Sequence, residues 1–145
     1  ASRARTTAAV SVTVASVSPG IFSFNQRGGG PAAIFHGESF RPVSDSAPAQ
    51  PGETVAIFCT GLGLLSSPVA SGSAAPVPPV ETASRPEVSM AGLPAEVKFS
   101  GLAPGYVGLY QVNVQVPPGI RAGTHPLQLA IDRVFSNTVT VAIGP

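Results

Sequence analysis

The chain has 145 residues, of which 43% are hydrophobic and 10% are charged, and its formal net charge is +1. One domain is the natural expectation for this length, and the apolar fraction excludes disorder caused by too little apolar surface. The near balance of eight Lys and Arg against seven Asp and Glu gives no sign of the clustered basic patch that nucleic acid or an anionic membrane surface requires, so we expect neither partner.

The spacing of glycine and proline along the chain predicts an all-β fold. Its 16 Gly and 16 Pro fall at short intervals, and the runs between them are rich in Val, Ile, Phe, Thr and Tyr. Such short runs separated by turn residues are typical of sandwiches and barrels. No run reaches the roughly 18 apolar residues of a transmembrane helix, so membrane insertion is not expected. We predict a β-sandwich of about seven to nine strands with long Pro/Gly/Ser-rich loops.

The first element is an alternating run at residues 7–15, in which Val10, Val12 and Val14 are separated by polar or small residues. A period of two predicts a half-buried strand. Residues 16–20 contain Ser-Pro-Gly and form a natural hinge behind this strand. We therefore expect residues 1–17 to be an N-terminal strand and hinge, open to exchange between subunits, and residues 18–145 to be the sandwich domain.

Further strands are predicted in chain order between turn signals. Residues 91–94 predict the turn of a hairpin, and residues 64–86 an extended loop with one short edge strand near Val69. The sequence Val-Thr-Val-Ala at residues 12–15 recurs at residues 139–142. The predicted strands lie at residues 21–24, 32–36, 54–60, 87–90, 95–99, 108–116, 126–131 and 137–143.

Four motifs resemble one known family. They are Ser-Pro-Gly-Ile-Phe at 18–22, Thr-Gly-Leu-Gly at 60–63, the long run at 99–117 and Ser-Asn-Thr-Val-Thr-Val at 136–141. Together they resemble the Solibacter-type C-terminal domain of large secreted acidobacterial proteins. The resemblance implies an immunoglobulin-like β-sandwich at the cell surface or outside the cell, with no established activity. It also implies that residues 7–15 correspond to the last strand of an upstream domain.

The ionisable residues do not form a catalytic or metal-binding pattern. His36 and His125 are isolated, the seven acids are scattered, and no Gly-x-Ser-x-Gly elbow supports a triad. Cys59 lies in an apolar strand and is predicted to be a buried, inert thiol, with an intermolecular disulfide or a reactive thiol as the alternative. An isopeptide crosslink between Lys98 and Asn137 is a weaker alternative. We therefore predict a protein that is not an enzyme and has no cofactor and no metal.

Two functions remain open from the sequence. The first is an extracellular or cell-surface structural subunit that self-assembles into a homo-oligomer or filament by donating its N-terminal strand, with Val10, Val12 and Val14 as buried anchors. The second is a monomeric carbohydrate-binding or adhesion module, with Tyr106 and Tyr110 stacking on a glycan.

Overall fold

A computed structural model describes residues 4–145, so residues 1–3 of the predicted N-terminal unit lie outside the described part. Nine strands and no helix are present in that range, and accordingly none of its residues belongs to a helix long and apolar enough to cross a membrane. The strands are β1 (Gly20–Ile21), β2 (Ile34–His36), β3 (Thr54–Thr60), β4 (Glu87–Met90), β5 (Leu93–Leu102), β6 (Tyr110–Gln115), β7 (Gly123–Ile131), β8 (Val134–Phe135) and β9 (Val139–Ile143).

All strand pairs are antiparallel, and they form one continuous sheet in the order β1-β3-β6-β5-β4-β7-β8. β2 adds to β3 beside β1, and β9 adds to β7 beside β8. The sheet folds back on itself until it is nearly closed, with β1 and β8 at its two ends. The prediction of an all-β fold with seven to nine strands is confirmed.

β5 carries the sheet from one half of the fold to the other. Its first residues pair with β4, and from Glu96 onward it pairs with β6. The register shifts between Val97 and Phe99, which is a β-bulge at the crossing point. Bulges bend a strand and increase its twist, so this irregularity helps the two halves to face each other.

The core lies between the two halves and follows the predicted alternation. Val112, Val114 and Val116 are fully buried, and Tyr110 packs against the same cluster, as the period of the run predicts. The facing strands contribute further fully buried residues. Burial of each side chain of this size stabilises the fold by about 1.5–3 kcal/mol. The largest fully buried side chains of the core are Ile34, Ile57, Leu62, Met90, Leu127, Leu129 and Ile131.

The predicted hairpin is present, with a tighter turn than expected. β4 and β5 are joined by Ala91 and Gly92 alone, and both have positive φ, at 53° and 75°. Positive φ at both central residues is the signature of the type I′ turn, whose twist matches that of the strands.

The long loop at residues 64–86 has no strand near Val69, so that prediction is wrong. The loop is instead attached to the free edge of β5 by the single bridge Glu81–Gly101, and the bridge Leu65–Thr82 joins two segments of the loop to each other. Pro76, Pro78 and Pro79 lie in the same segment and have no backbone N–H, which prevents a longer ladder.

The structure also differs from the prediction of an N-terminal strand. Residues 7–15 form no strand, and none of their backbone groups bonds to the rest of residues 4–145. A strand needs a neighbour for its backbone hydrogen bonds, and alternation supplies only the side-chain pattern. In the structure this segment therefore does not fold back onto its own sheet.

Candidate assembly site

The most unusual surface of the molecule is its N-terminal arm, residues 4–15. Every residue of the arm is exposed. Val10, Val12 and Val14 are 82%, 79% and 90% exposed, more than almost all other large apolar side chains of the chain. In an extended chain every second side chain points to the same side, so the three valines share one face. The predicted assembly residues are thus free in the single chain.

The base of the arm is fixed to the domain. The Val17 side chain is buried at 8% exposure, and the Ser18 N–H donates to the carbonyl oxygen of Gly61 at 2.9 Å. Gly61 has a φ of 76°, and a Cβ there would overlap the Ser18 carbonyl. Only glycine permits so close an approach of two backbones at positive φ. The arm therefore leaves the domain at a defined point.

β1, which follows the arm, is one end of the sheet and pairs only with β3 among the described residues. Its other edge meets the side chain of Asn137. The Ile21 N–H donates to Asn137 Oδ1 at 2.7 Å, and Asn137 Nδ2 donates to the carbonyl oxygens of Ile21 at 2.9 Å and Gly28 at 2.8 Å. A side-chain amide has the donor and acceptor of a peptide group. Asn137 thus occupies the position of a neighbouring strand.

β8 is the other end of the sheet and pairs only with β7 among residues 4–145. A two-residue turn with positive φ at Asp132 and Arg133 joins the two strands. The Ser136 N–H donates toward β7, to Leu129 at 2.7 Å, so the N–H of Phe135 points to the opposite, open edge. Phe135 is 68% exposed. We call the gap between β1 and β8, closed at Asn137, the seam.

The two tyrosines predicted to stack on a glycan have different surroundings. Tyr110 is partly buried, and its hydroxyl donates to the carbonyl oxygen of Gly63 at 2.7 Å. Burial, and secondly the charge of Cys59, raises the pKa of Tyr110. The Tyr106 ring is 60% exposed in the turn before β6. The Tyr110 ring is therefore held in the domain by its hydroxyl bond, and of the two rings only that of Tyr106 is open to a ligand.

A row of aromatic rings on the outer face of β2 and β3 did not emerge from the sequence. Phe35 stands edge-to-face with Phe24 at 5.8 Å and with Phe58 at 5.4 Å between ring centroids. The signal was available in β3, where Phe58 alternates with the buried Ile57 and Cys59 and therefore faces outward.

Cys59 lies in the core as predicted. It is a free thiol with no exposed surface, and burial raises its pKa from 9.0 to about 12. A thiol that stays protonated in this way is a poor nucleophile, because the thiolate is the reactive form.

The remaining candidate residues have ordinary partners. His36 bonds Glu53 at 2.7 Å and the Ala47 carbonyl at 3.1 Å, while His125 bonds the Arg121 carbonyl at 2.8 Å. Lys98 pairs with Glu96 at 2.7 Å rather than with Asn137, the partner considered for an isopeptide bond. Within residues 4–145 no three His, Cys, Asp or Glu side chains come together to hold a metal ion.

Comparison of the chain with known protein families, curated proteins and solved structures gives no significant match.

Proposed function

We propose that this protein is a non-catalytic extracellular structural subunit that self-assembles into a filament by donating its N-terminal arm to a neighbouring copy. The observation that carries the proposal is the arm itself. Three alternating valines are 79–90% exposed on a segment that has no backbone partner within the described chain, yet starts from a fixed base. A sheet edge of a neighbour offers such a segment both hydrogen bonds and an apolar surface.

Two contributions favour association of the arm with a neighbouring copy. Burial of three valine side chains contributes about 1.5–3 kcal/mol each, before the cost of ordering the arm is subtracted. Main-chain hydrogen bonds to the acceptor edge add to this. A head-to-tail contact of this kind uses two different surfaces of each copy, and it propagates as a filament when it does not close into a ring.

The extracellular setting is supported by composition. Charged residues make up 10% of the chain, against about 25% in a typical soluble domain. The long loop at 64–86 is rich in Ser, Ala and Pro, as is common in exposed segments. The resemblance to the Solibacter-type domain of secreted proteins points the same way. For the alternative, a carbohydrate-binding module, only Tyr106 of the predicted pair offers an open ring, so we favour strand donation.

The test compares substitutions on the two faces of the arm. A variant with Val10, Val12 and Val14 all changed to serine loses the apolar face, and a matched control with Ser11→Ala and Thr13→Ala leaves it intact. Particle mass by light scattering and electron microscopy are the measurements. We expect filaments from the natural chain and the control, and monomers from the serine variant. Assembly of the serine variant like the natural chain, or a natural chain that stays monomeric, would refute the proposal.

A further inference from the structure

We infer that the seam between β1 and β8 is the acceptor for the arm of a second copy of this chain. The inference rests on the proposed function and adds the surface that receives the arm. It starts from the topology, since β1 and β8 are the two ends of the sheet order. Beyond Asn137 the bridges Ser23–Ala32 and Pro31–Thr140 join the two sides, so the seam is open only on the side of Pro19 and β8. A strand inserted there gains a neighbour on each side, whereas a strand added to an ordinary edge gains one.

The backbone groups that face the seam are suited to a partner strand. On β8 the Phe135 N–H points away from β7. On β1, Ser18 and Phe22 donate their N–H groups toward the β3 side, at 2.9 Å and 3.1 Å. The alternation of a strand therefore turns the carbonyl of Pro19 and both groups of Ile21 toward the seam. The Asn137 amide bonds Ile21 and leaves the Pro19 end of the seam without such a bridge.

The core-facing side of the sheet is incompletely covered at the seam. Val134 pairs directly opposite Ile131, so the two side chains share a face of the sheet. Ile131 is 1% exposed on that face, whereas Val134 is 41% exposed. The apolar layer that covers β7 therefore ends before it reaches β8. A valine of an incoming arm would extend this layer over Val134.

The arm has the length and the side-chain spacing for this position. Residues 7–15 span about 30 Å when extended, and alternate valines repeat every 6.7 Å or so. The wall on the open side of the Asn137 bridge, residues 17–20, is about 13 Å long, which is also the distance from Val10 to Val14 in an extended strand. The outgoing arm is also continuous with β1. Each copy would therefore accept an arm beside the strand from which its own arm begins, a head-to-tail contact of the kind that propagates linearly.

A competing edge lies on the other side of the domain's strand β5. Residues 64–66 form the outermost segment beyond β5, held through the Leu65–Thr82 bridge, and Leu64 is 81% exposed. This edge would give an arm a neighbour on one side only, and it serves as the control position in the test.

The experiment is disulfide mapping between two populations of full-length chain, both carrying Cys59→Ala. One population has a cysteine on the polar face of the arm, at Ser11→Cys or Thr13→Cys. The other has Phe135→Cys at the seam or Leu64→Cys at the competing edge. Phe135 and Leu64 are both exposed, so neither substitution threatens the core. The populations are mixed, oxidised mildly and separated by non-reducing electrophoresis.

We expect a crosslinked dimer when an arm cysteine meets Phe135→Cys, and only the background level with Leu64→Cys. A dimer formed with Leu64→Cys and not with Phe135→Cys would overturn the seam as the acceptor, as would arm-dependent filaments with no crosslink to either position. Both of these results leave strand donation standing. Assembly that continues in the serine variant of the arm would refute strand donation itself, so the two failures are distinct.

Discussion

The side-chain amide of Asn137 forms with the backbone of Ile21 the two hydrogen bonds that a residue of a neighbouring strand would form. The Asn137 amide accepts the Ile21 N–H at 2.7 Å and donates to the Ile21 carbonyl at 2.9 Å. These residues are separated by 116 positions in the chain and lie at opposite ends of the sheet order. The contact holds the nearly closed sheet together at one end of the seam.

Replacement of Asn137 by alanine should therefore be costly. It removes three hydrogen bonds and leaves partly buried backbone groups of β1 unpaired, for an expected loss of about 2–4 kcal/mol in the free energy of unfolding. Asn113→Ala is the matched control, because Asn113 only accepts from Gln111 on the outer face of the sheet and should cost under about 1 kcal/mol. Urea denaturation of the arm-substituted monomer measures both. Equal losses would contradict the role assigned to Asn137.

The two tyrosines should behave differently when their hydroxyls are removed. Tyr110→Phe deletes the bond to the Gly63 carbonyl and should lower the free energy of unfolding by about 1–1.5 kcal/mol. Tyr106→Phe should leave it unchanged, since no hydroxyl bond of Tyr106 is present among the described residues. Thermal and urea unfolding provide the comparison. A glycan array with Tyr106→Ala tests the alternative function, and clear binding lost in that variant would favour it.

The base of the arm should depend on the glycine at 61. Gly61→Ala combines an unfavourable positive φ with overlap on the Ser18 carbonyl, and we expect a loss of at least about 3 kcal/mol or a displaced arm. Gly105 has a similar φ of 81°, but no atom lies within 4 Å of the Cβ that alanine would add. Gly105→Ala should therefore lose only about 1 kcal/mol, the cost of placing a residue with a Cβ at positive φ. Urea unfolding separates the two. Similar losses would show that the close approach at Gly61 is unimportant.

Burial of Cys59 predicts a pH dependence of stability. The folded thiol has a pKa of about 12 and the unfolded thiol ionises near its ordinary 9.0. Above pH 9 the unfolded chain therefore binds fewer protons than the folded chain, and stability falls as the pH rises. The full loss from this thiol approaches about 4 kcal/mol by pH 12. The raised pKa of Tyr110 acts in the same direction.

The measurement is urea unfolding from pH 7 to pH 11, comparing the natural chain with Cys59→Ala. The alanine variant begins less stable at neutral pH because it leaves a small cavity, but its stability should fall less steeply above pH 9 than that of the natural chain. Parallel curves for the two proteins would contradict the assignment to Cys59.

Much of the fold could be predicted because the pleat imposes a period of two on buried strands. The valines of β6, the apolar run of β3 and the β4–β5 hairpin all follow from alternation and turn residues. The same reasoning produced the predicted strand at 7–15, which the single chain does not form. Alternation describes a surface that fits a sheet, and it says nothing about whether a partner edge is within reach.

The sequence by itself determined the all-β class, the core faces and the alternating valines of the arm, since these depend on local spacing and residue type. Only the tertiary structure decided that the arm is unpaired, that β1 and β8 are the ends of one nearly closed sheet, and that Asn137 bridges them. The Asn137 bridge joins residues 116 positions apart, and the order of the sheet depends on pairings between strands that are distant in the chain. Such contacts follow from how the whole sheet curls, and no local pattern encodes that curvature.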